Sequence, residues 1–134
     1  MDRKEKAIEL HDKGYNCCQA VACSIAPELG YDVSLILKAG EGFGLGMGGM
    51  NGNCGALSGA VMLAGLKNSD GNPDLPMSKR GTYKLAKEIY SRFEEKTGGT
   101  ICRQLKGVDT GKVLCSCPDC IRAGVEAAAE VLEL

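Results

Sequence analysis

Histidine, charge of one sign and long apolar runs are all scarce in this chain of 134 residues. His11 is the sole histidine, so any zinc site would have to be built from cysteine alone or nearly so. Sixteen basic residues against 17 acidic ones leave a net charge of −1, which excludes a global field favouring nucleic acid or an anionic membrane. The segment from Lys79 to Lys106 is locally basic and that from Asp109 to Leu134 acidic. Lys84, Lys87 and Arg92 read as a solvated helix face, with an electrostatic dock for an acidic partner as the lesser alternative. The most apolar run, Cys54 to Leu66, is rich in small residues and too short for a bilayer crossing, which needs ~20 residues. The polar start, Met1 to Glu5, has no apolar stretch behind it and does not read as a secretory signal. A soluble, cytoplasmic protein without membrane insertion is the expectation.

Cysteine, by contrast, is abundant, with eight residues. In a reducing compartment such residues serve more often as metal ligands or redox groups than as permanent bridges. A domain of this length does not need disulfides to fold. Four of the eight sit where a helix is predicted to begin: Cys17, Cys54, Cys102 and Cys120. The free N–H groups and dipole of a helix start favour thiolate, the form that attacks disulfides and binds metals.

Helical spacing dominates the chain, and no segment alternates convincingly as a strand. Asp2 with Glu5 resembles a capping box, and Ala7, Ile8 and Leu10 give the apolar side of a helix ending near Gly14. Asn16 and Gln19 form the corresponding pair for a second helix, whose buried stripe is Cys18, Val21, Ala22 and Ile25. A short helix from Ser34 to Ala39 leads into the glycine-rich run Gly42 to Gly49, which reads as extended or looped. Asn53 is placed to cap a helix from Cys54 to about Leu66, apolar all round and therefore central. Ser78 is placed to cap a long helix to about Lys96, with Tyr83, Ala86, Ile89, Tyr90 and Phe93 on its core side. Thr100 caps a short turn carrying Cys102 and Leu105. A last helix starts at Ser116 or Cys117, with Pro118 in its first turn. The reading is one domain over residues 1–134, an all-α compact bundle of five to six helices with a glycine-rich loop leading into a buried central helix.

Cys117-Pro118-Asp119-Cys120 is a dithiol spacing at a helix start, the arrangement in which one thiol attacks and the second resolves. The thioredoxin-like βαβ context is missing. With Cys115 the same segment suits a tetrahedral thiolate site completed by a distant cysteine. Ile121 follows Cys120 where covalent haem attachment needs histidine, and the ferredoxin run of closely spaced cysteines is absent. Gly44-x-Gly46-x-x-Gly49 matches a dinucleotide fingerprint in letters only, because no strand precedes it. Those glycines either let backbone N–H groups approach a thiolate or small anion, or simply permit close packing. His11 falls on the polar side of its helix and reads as solvated. Cys18 and Cys23 read as small core hydrophobes; Cys115 and Cys117 read as accessory thiols in a turn.

Cys54-Gly55-Ala56-Leu57-Ser58-Gly59, with Asn16-Cys17 upstream and Cys102-Arg103-Gln104-Leu105-Lys106-Gly107 and Cys120 downstream, resembles the C-GCAxxG-C-C family. Redox activity is ascribed to that family from its cysteines. The resemblance covers nearly the whole chain, although Cys18, Cys23, Cys115 and Cys117 lie outside the four-cysteine pattern. The leading reading is that Cys17, Cys54, Cys102 and Cys120 converge at one end of the bundle and carry reversible thiol–disulfide or electron-transfer chemistry with a redox partner protein or a small thiol or disulfide. Such dithiol chemistry needs no cofactor. The first alternative is a metal or iron–sulfur module, with zinc or a cluster on Cys17, Cys54, Cys102 and Cys120, and Cys117 as a substitute ligand. The second is a structural or interaction protein with no redox role. A homodimer is compatible with all three readings.

Overall fold

Helix starts and stops follow the local chemistry closely in the computed structural model, which describes residues 1–134 and contains seven α-helices and no strand. Helix α1, Arg3–Asp12, is capped by Asp2, whose carboxylate accepts the Glu5 N–H at 2.8 Å. Helix α2, Cys17–Ile25, carries a complete capping box: Asn16 accepts from the Gln19 N–H, and the Gln19 side chain accepts from the Asn16 N–H, both at 2.9 Å. A 3-10 turn at Ala26–Leu29 and Gly30 in left-handed conformation (φ 89°) end it. Helix α3, Val33–Gly40, is capped by Asp32. Helix α4 spans Gly55–Asn68, and α5, Lys79–Thr97, is the longest at 19 residues. The five-residue α6, Cys102–Lys106, stands where a turn was expected. Helix α7, Cys117–Val131, closes the bundle, with Ser116 accepting from the Asp119 N–H.

Helix α4 lies at the centre, packed against α2, α5 and α7. Its small residues let backbones touch. A Cβ on Gly59 would sit 2.6 Å from the Cys18 carbonyl oxygen, and one on Gly124 of α7 would sit 2.8 Å from that of Ala56. Around this contact a single core gathers Val21, Ile25, Leu57, Leu63, Ile89, Phe93 and Ile121, all almost fully buried. Each such side chain contributes roughly 1.5–3 kcal/mol relative to exposure. Lys96 bridges to Glu126 and Glu130, tying α5 to α7 across the surface at ~0–1 kcal/mol per pair.

The expected core side of α5 is corrected. Tyr83 and Tyr90 are 64% and 39% exposed, and the buried residues of α5 are Ile89, Phe93 and Thr97. Helix α5 packs against α4 and α7 on one side only, so its stripe is narrow; the Tyr90 hydroxyl instead pairs with the Thr100 hydroxyl at 2.9 Å.

The glycine-rich run is coiled rather than extended. A 3-10 turn at Glu41–Phe43 precedes a single wide turn at Gly46–Met50, with left-handed backbone at Leu45 (φ 53°), Met47 (64°) and Met50 (67°). Missing side chains explain its tightness: a Cβ on Gly44 would lie 2.5 Å from the Asn16 side chain, and one on Gly46 would lie 2.4 Å from Cys102 Cβ. The loop is thus wrapped against the starts of α2 and α6.

Three expected caps are also corrected. Asn53 forms an antiparallel bridge with Ile101, and Cys54 itself occupies the cap position of α4. The Cys54 N–H donates to Thr100 O at 2.7 Å and the Cys102 N–H to Gly52 O at 3.0 Å, so α4 and α6 begin side by side. Ser78 holds the cap position of α5, but its hydroxyl accepts from the Asp70 N–H and makes no bond to the helix start, and Ile101, not Thr100, holds the cap position of α6.

Candidate functional site

Four helix starts meet at one end of the bundle. Cys17 is the first residue of α2, Cys54 the cap of α4, Cys102 the first residue of α6, and Cys117 the first residue of α7, with Cys120 one turn in. All five, together with Cys115, line a cavity of about 190 Å³. Sequence reasoning had Cys17, Cys54, Cys102 and Cys120 in one place, and the structure brings all four to this cavity. Leu45 of the coiled loop also lines it, and the Asn16 side chain donates to Glu41 O at 2.9 Å, which fastens that loop beside the cavity.

The sulfurs meet in pairs. Cys17 is hydrogen-bonded to Cys117, and Cys54 to Cys120. Cys17 and Cys117 are half-buried, whereas Cys54 and Cys120 are 6% and 2% exposed. The Cys120 thiol also lies 3.7 Å from the Cys115 carbonyl oxygen. All eight cysteines are free thiols.

Within each pair the two sulfurs are driven apart in acidity. The hydrogen bond from Cys17 brings Cys117 down to about 5 against the opposing effect of burial; the Lys106 ammonium, which also bonds this sulfur, and the His11 ring add to the lowering. Cys17, as the donor, is pushed up, with burial acting in the same direction. Cys54 comes down to about 7 through the hydrogen bond from Cys120 and through the Ala56 and Leu57 N–H groups at the start of α4, again against burial. Cys120 is pushed up as the donor of that pair. Burial raises Cys102, which has no hydrogen-bond partner, and raises Cys115 against the lowering effect of a hydrogen bond with Cys120.

Away from the cavity, Cys18 and Cys23 are almost fully buried in the core, as expected; burial lifts Cys18 to about 12 and raises Cys23. No three histidine, cysteine or carboxylate side chains form a group that could hold a metal ion.

Three residues change their reading. Cys117, open from the sequence between an accessory thiol and the acidified first thiol of Cys-x-x-Cys, opens α7 and neighbours Cys17. His11 is not turned to solvent: it is half-buried, lines the cavity, and its Nδ1 lies 3.0 Å from the Tyr15 carbonyl oxygen. The signal was available, since His11 falls four residues after Ala7, the one fully buried position of α1. Lys106, given no role from the sequence, lies four residues after Cys102, shares its face of α6 and lines the cavity.

No helix of the protein is long and apolar enough to cross a membrane. No curated protein and no solved structure matches the chain. Residues 15–131 match the family described as "Putative redox-active protein (C_GCAxxG_C_C)", a span that includes every cysteine of the cavity. The chain belongs to this C_GCAxxG_C_C family of redox-active proteins.

Proposed function

We propose that the protein is a thiol–disulfide exchange protein whose working pair is Cys17–Cys117. The observation that carries this reading is the pairing of an acidified, half-exposed sulfur with a proton-bearing neighbour at the cavity. The Cys117 thiolate attacks one sulfur of an incoming disulfide; the substrate S–S bond breaks, and one substrate thiolate leaves beside Lys106. Cys17 then gives up its proton to the departing thiolate and, as a thiolate itself, attacks the Cys117 sulfur of the mixed disulfide. The second substrate thiolate leaves, and the protein holds a Cys17–Cys117 disulfide. The substrate has gained two electrons and the protein has lost two. A dithiol partner in a reducing compartment such as the cytoplasm returns the pair to its thiols. The cavity suits a small disulfide or a narrow disulfide-bearing loop of a partner protein.

The test is to mix fully reduced protein with hydroxyethyl disulfide without oxygen, then map the products by non-reducing peptide mass spectrometry with metal analysis on the same sample. With one equivalent of the disulfide and an early quench, the expected result is release of two mercaptoethanol molecules per protein, a Cys17–Cys117 disulfide and no stoichiometric metal. Full retention of titratable thiols after incubation would overturn the reading. Iron or zinc bound in stoichiometric amount, with the thiols protected by it, would favour the metal-binding alternative on Cys17, Cys54, Cys102 and Cys120.

A further inference from the structure

A second hydrogen-bonded pair, Cys54–Cys120, lies behind the first and needs its own account. Cys54 and Cys120 are buried residues, 6% and 2% exposed, so a bulky disulfide cannot approach them as it can approach the half-buried Cys117. Yet both pairs line the same cavity, and one member of each belongs to the first turn of α7. Cys117 and Cys120 are three residues apart there, which makes them neighbours on the helix surface. Each is bonded to a cysteine from a different helix, Cys17 on α2 and Cys54 at the start of α4.

We propose that Cys54 and Cys120 form an interior dithiol that receives its oxidising equivalents from the Cys17–Cys117 disulfide through the Cys117–Cys120 step of α7, not from substrate directly. This rests on the exchange chemistry proposed above and extends it to a store of two disulfides.

The exchange balances internally. Cys120 passes its proton to Cys54 across their hydrogen bond, and the Cys120 thiolate attacks the Cys117 sulfur. The Cys17–Cys117 bond breaks, and Cys17 leaves as a thiolate that takes the proton from Cys54. The Cys54 thiolate then attacks the Cys120 sulfur of the Cys117–Cys120 disulfide, and Cys117 leaves as a thiolate. One disulfide has moved inward, two electrons have moved outward, and the outer pair is again a thiol beside a thiolate. The direction follows from thiolate stability. A dithiol whose reduced form is stabilised by an acidic thiol makes the more oxidising disulfide. Cys117, at about 5, is the more acidic of the two nucleophiles, Cys54 lying at about 7.

The test follows one equivalent of oxidant through the protein. Fully reduced protein receives one equivalent of glutathione disulfide, whose two tripeptides keep it at the rim; samples are acid-quenched over time, alkylated and mapped. The expected order is a Cys17–Cys117 disulfide early and a Cys54–Cys120 disulfide late, with one disulfide per chain throughout. In Cys120→Ser the equivalent stays at Cys17–Cys117, and in Cys54→Ser it stops at Cys117–Cys120. In Cys117→Ser the Cys54–Cys120 disulfide is lost. Its formation in Cys117→Ser at the rate of the unaltered protein, or an equivalent that rests at Cys17–Cys117 in the unaltered protein, would overturn the relay while leaving the outer exchange standing. No disulfide at all in the unaltered protein would overturn the exchange reading and the relay with it.

Discussion

At the start of α2, Cys17 lines the cavity and is raised chiefly by its neighbour Cys117, while one residue later Cys18 is fully buried against α4, where its backbone meets Gly59. The two side chains are chemically identical and adjacent in sequence. What separates them is direction. A turn of about 100° along the helix takes the second sulfur away from the convergent helix starts and the Lys106 ammonium and into apolar packing. Cys18 therefore sits at about 12 with burial as the first cause, whereas the cavity holds sulfurs at about 5 and about 7. Burial alone does not decide the outcome, because Cys54 is buried too; hydrogen-bond donors aimed at the sulfur outweigh desolvation there.

The most severe break of this contrast is Cys117→Ser, which removes the nucleophile and is expected to abolish exchange with hydroxyethyl disulfide, measured as thiol release. Cys18→Ser, its counterpart in the core, is expected to keep exchange and lose about 1 kcal/mol of stability in a urea melt. The new hydroxyl can bond a carbonyl of its own helix, as Ser24 does to Val21 O at 2.8 Å, so the cost stays at the low end for a buried polar group. Loss of exchange in both variants would erase the distinction between the two sulfurs.

Gly59→Ala tests the packing side alone. Its Cβ would meet the Cys18 carbonyl at 2.6 Å, so α2 and α4 must part, at a cost of roughly 1–3 kcal/mol in the same melt. An unchanged midpoint would show that the two helices are not in direct backbone contact.

Lys106→Met sharpens the electrostatic side. Removing the cation takes away attraction for the thiolate, so the acidity of Cys117 falls and its titration moves up from about 5. The expected result is slower alkylation of Cys117 at mildly acidic pH with little change at alkaline pH, and restoration of the acidic-side rate in Lys106→Arg. An unshifted profile would remove Lys106 from the site.

The smallest effect is the pH dependence that the core cysteine contributes. Cys18 is raised in the fold, so above the ordinary thiol pKa of about 8.5 the unfolded chain releases a proton that the folded chain keeps. Stability present below that pH is lost as pH climbs towards about 12. Cys18→Ala is expected to flatten this alkaline decline in melts between the two limits. Cys117 works in the opposite sense: its depressed value contributes stability above the ordinary thiol range that is lost as pH falls through about 5.

Much of this arrangement could be read from residue types because helix starts are local. Asn16 with Gln19, and Ser116 ahead of Pro118, announce the turns that carry Cys17 and Cys117. The small residues around Gly59 announce a helix that others approach closely. Which sulfurs pair is not local. Cys117 meets Cys17 only because α2 and α7 pack on the same central helix, and nothing in the Cys-x-x-Cys spacing distinguishes that outcome from a bond between Cys117 and Cys120. Of the two readings of the glycine run, extended or looped, the loop holds for a related reason: its left-handed turns are held by contacts to Asn16 and Cys102 from distant parts of the chain. Asn53 looked like a cap, but its backbone was already committed to Ile101 across the bridge that sets α4 beside α6.

The pH dependence of iodoacetamide alkylation in the reduced protein, resolved cysteine by cysteine by peptide mass spectrometry, tests the central claim most directly. The account predicts that Cys117 reacts with a midpoint near 5, Cys54 more slowly with a midpoint near 7, and Cys18 and Cys23 not at all until the protein unfolds. A common midpoint near the ordinary thiol value of about 8.5 for all eight, or native-state labelling of Cys18 as fast as that of Cys117, would contradict it.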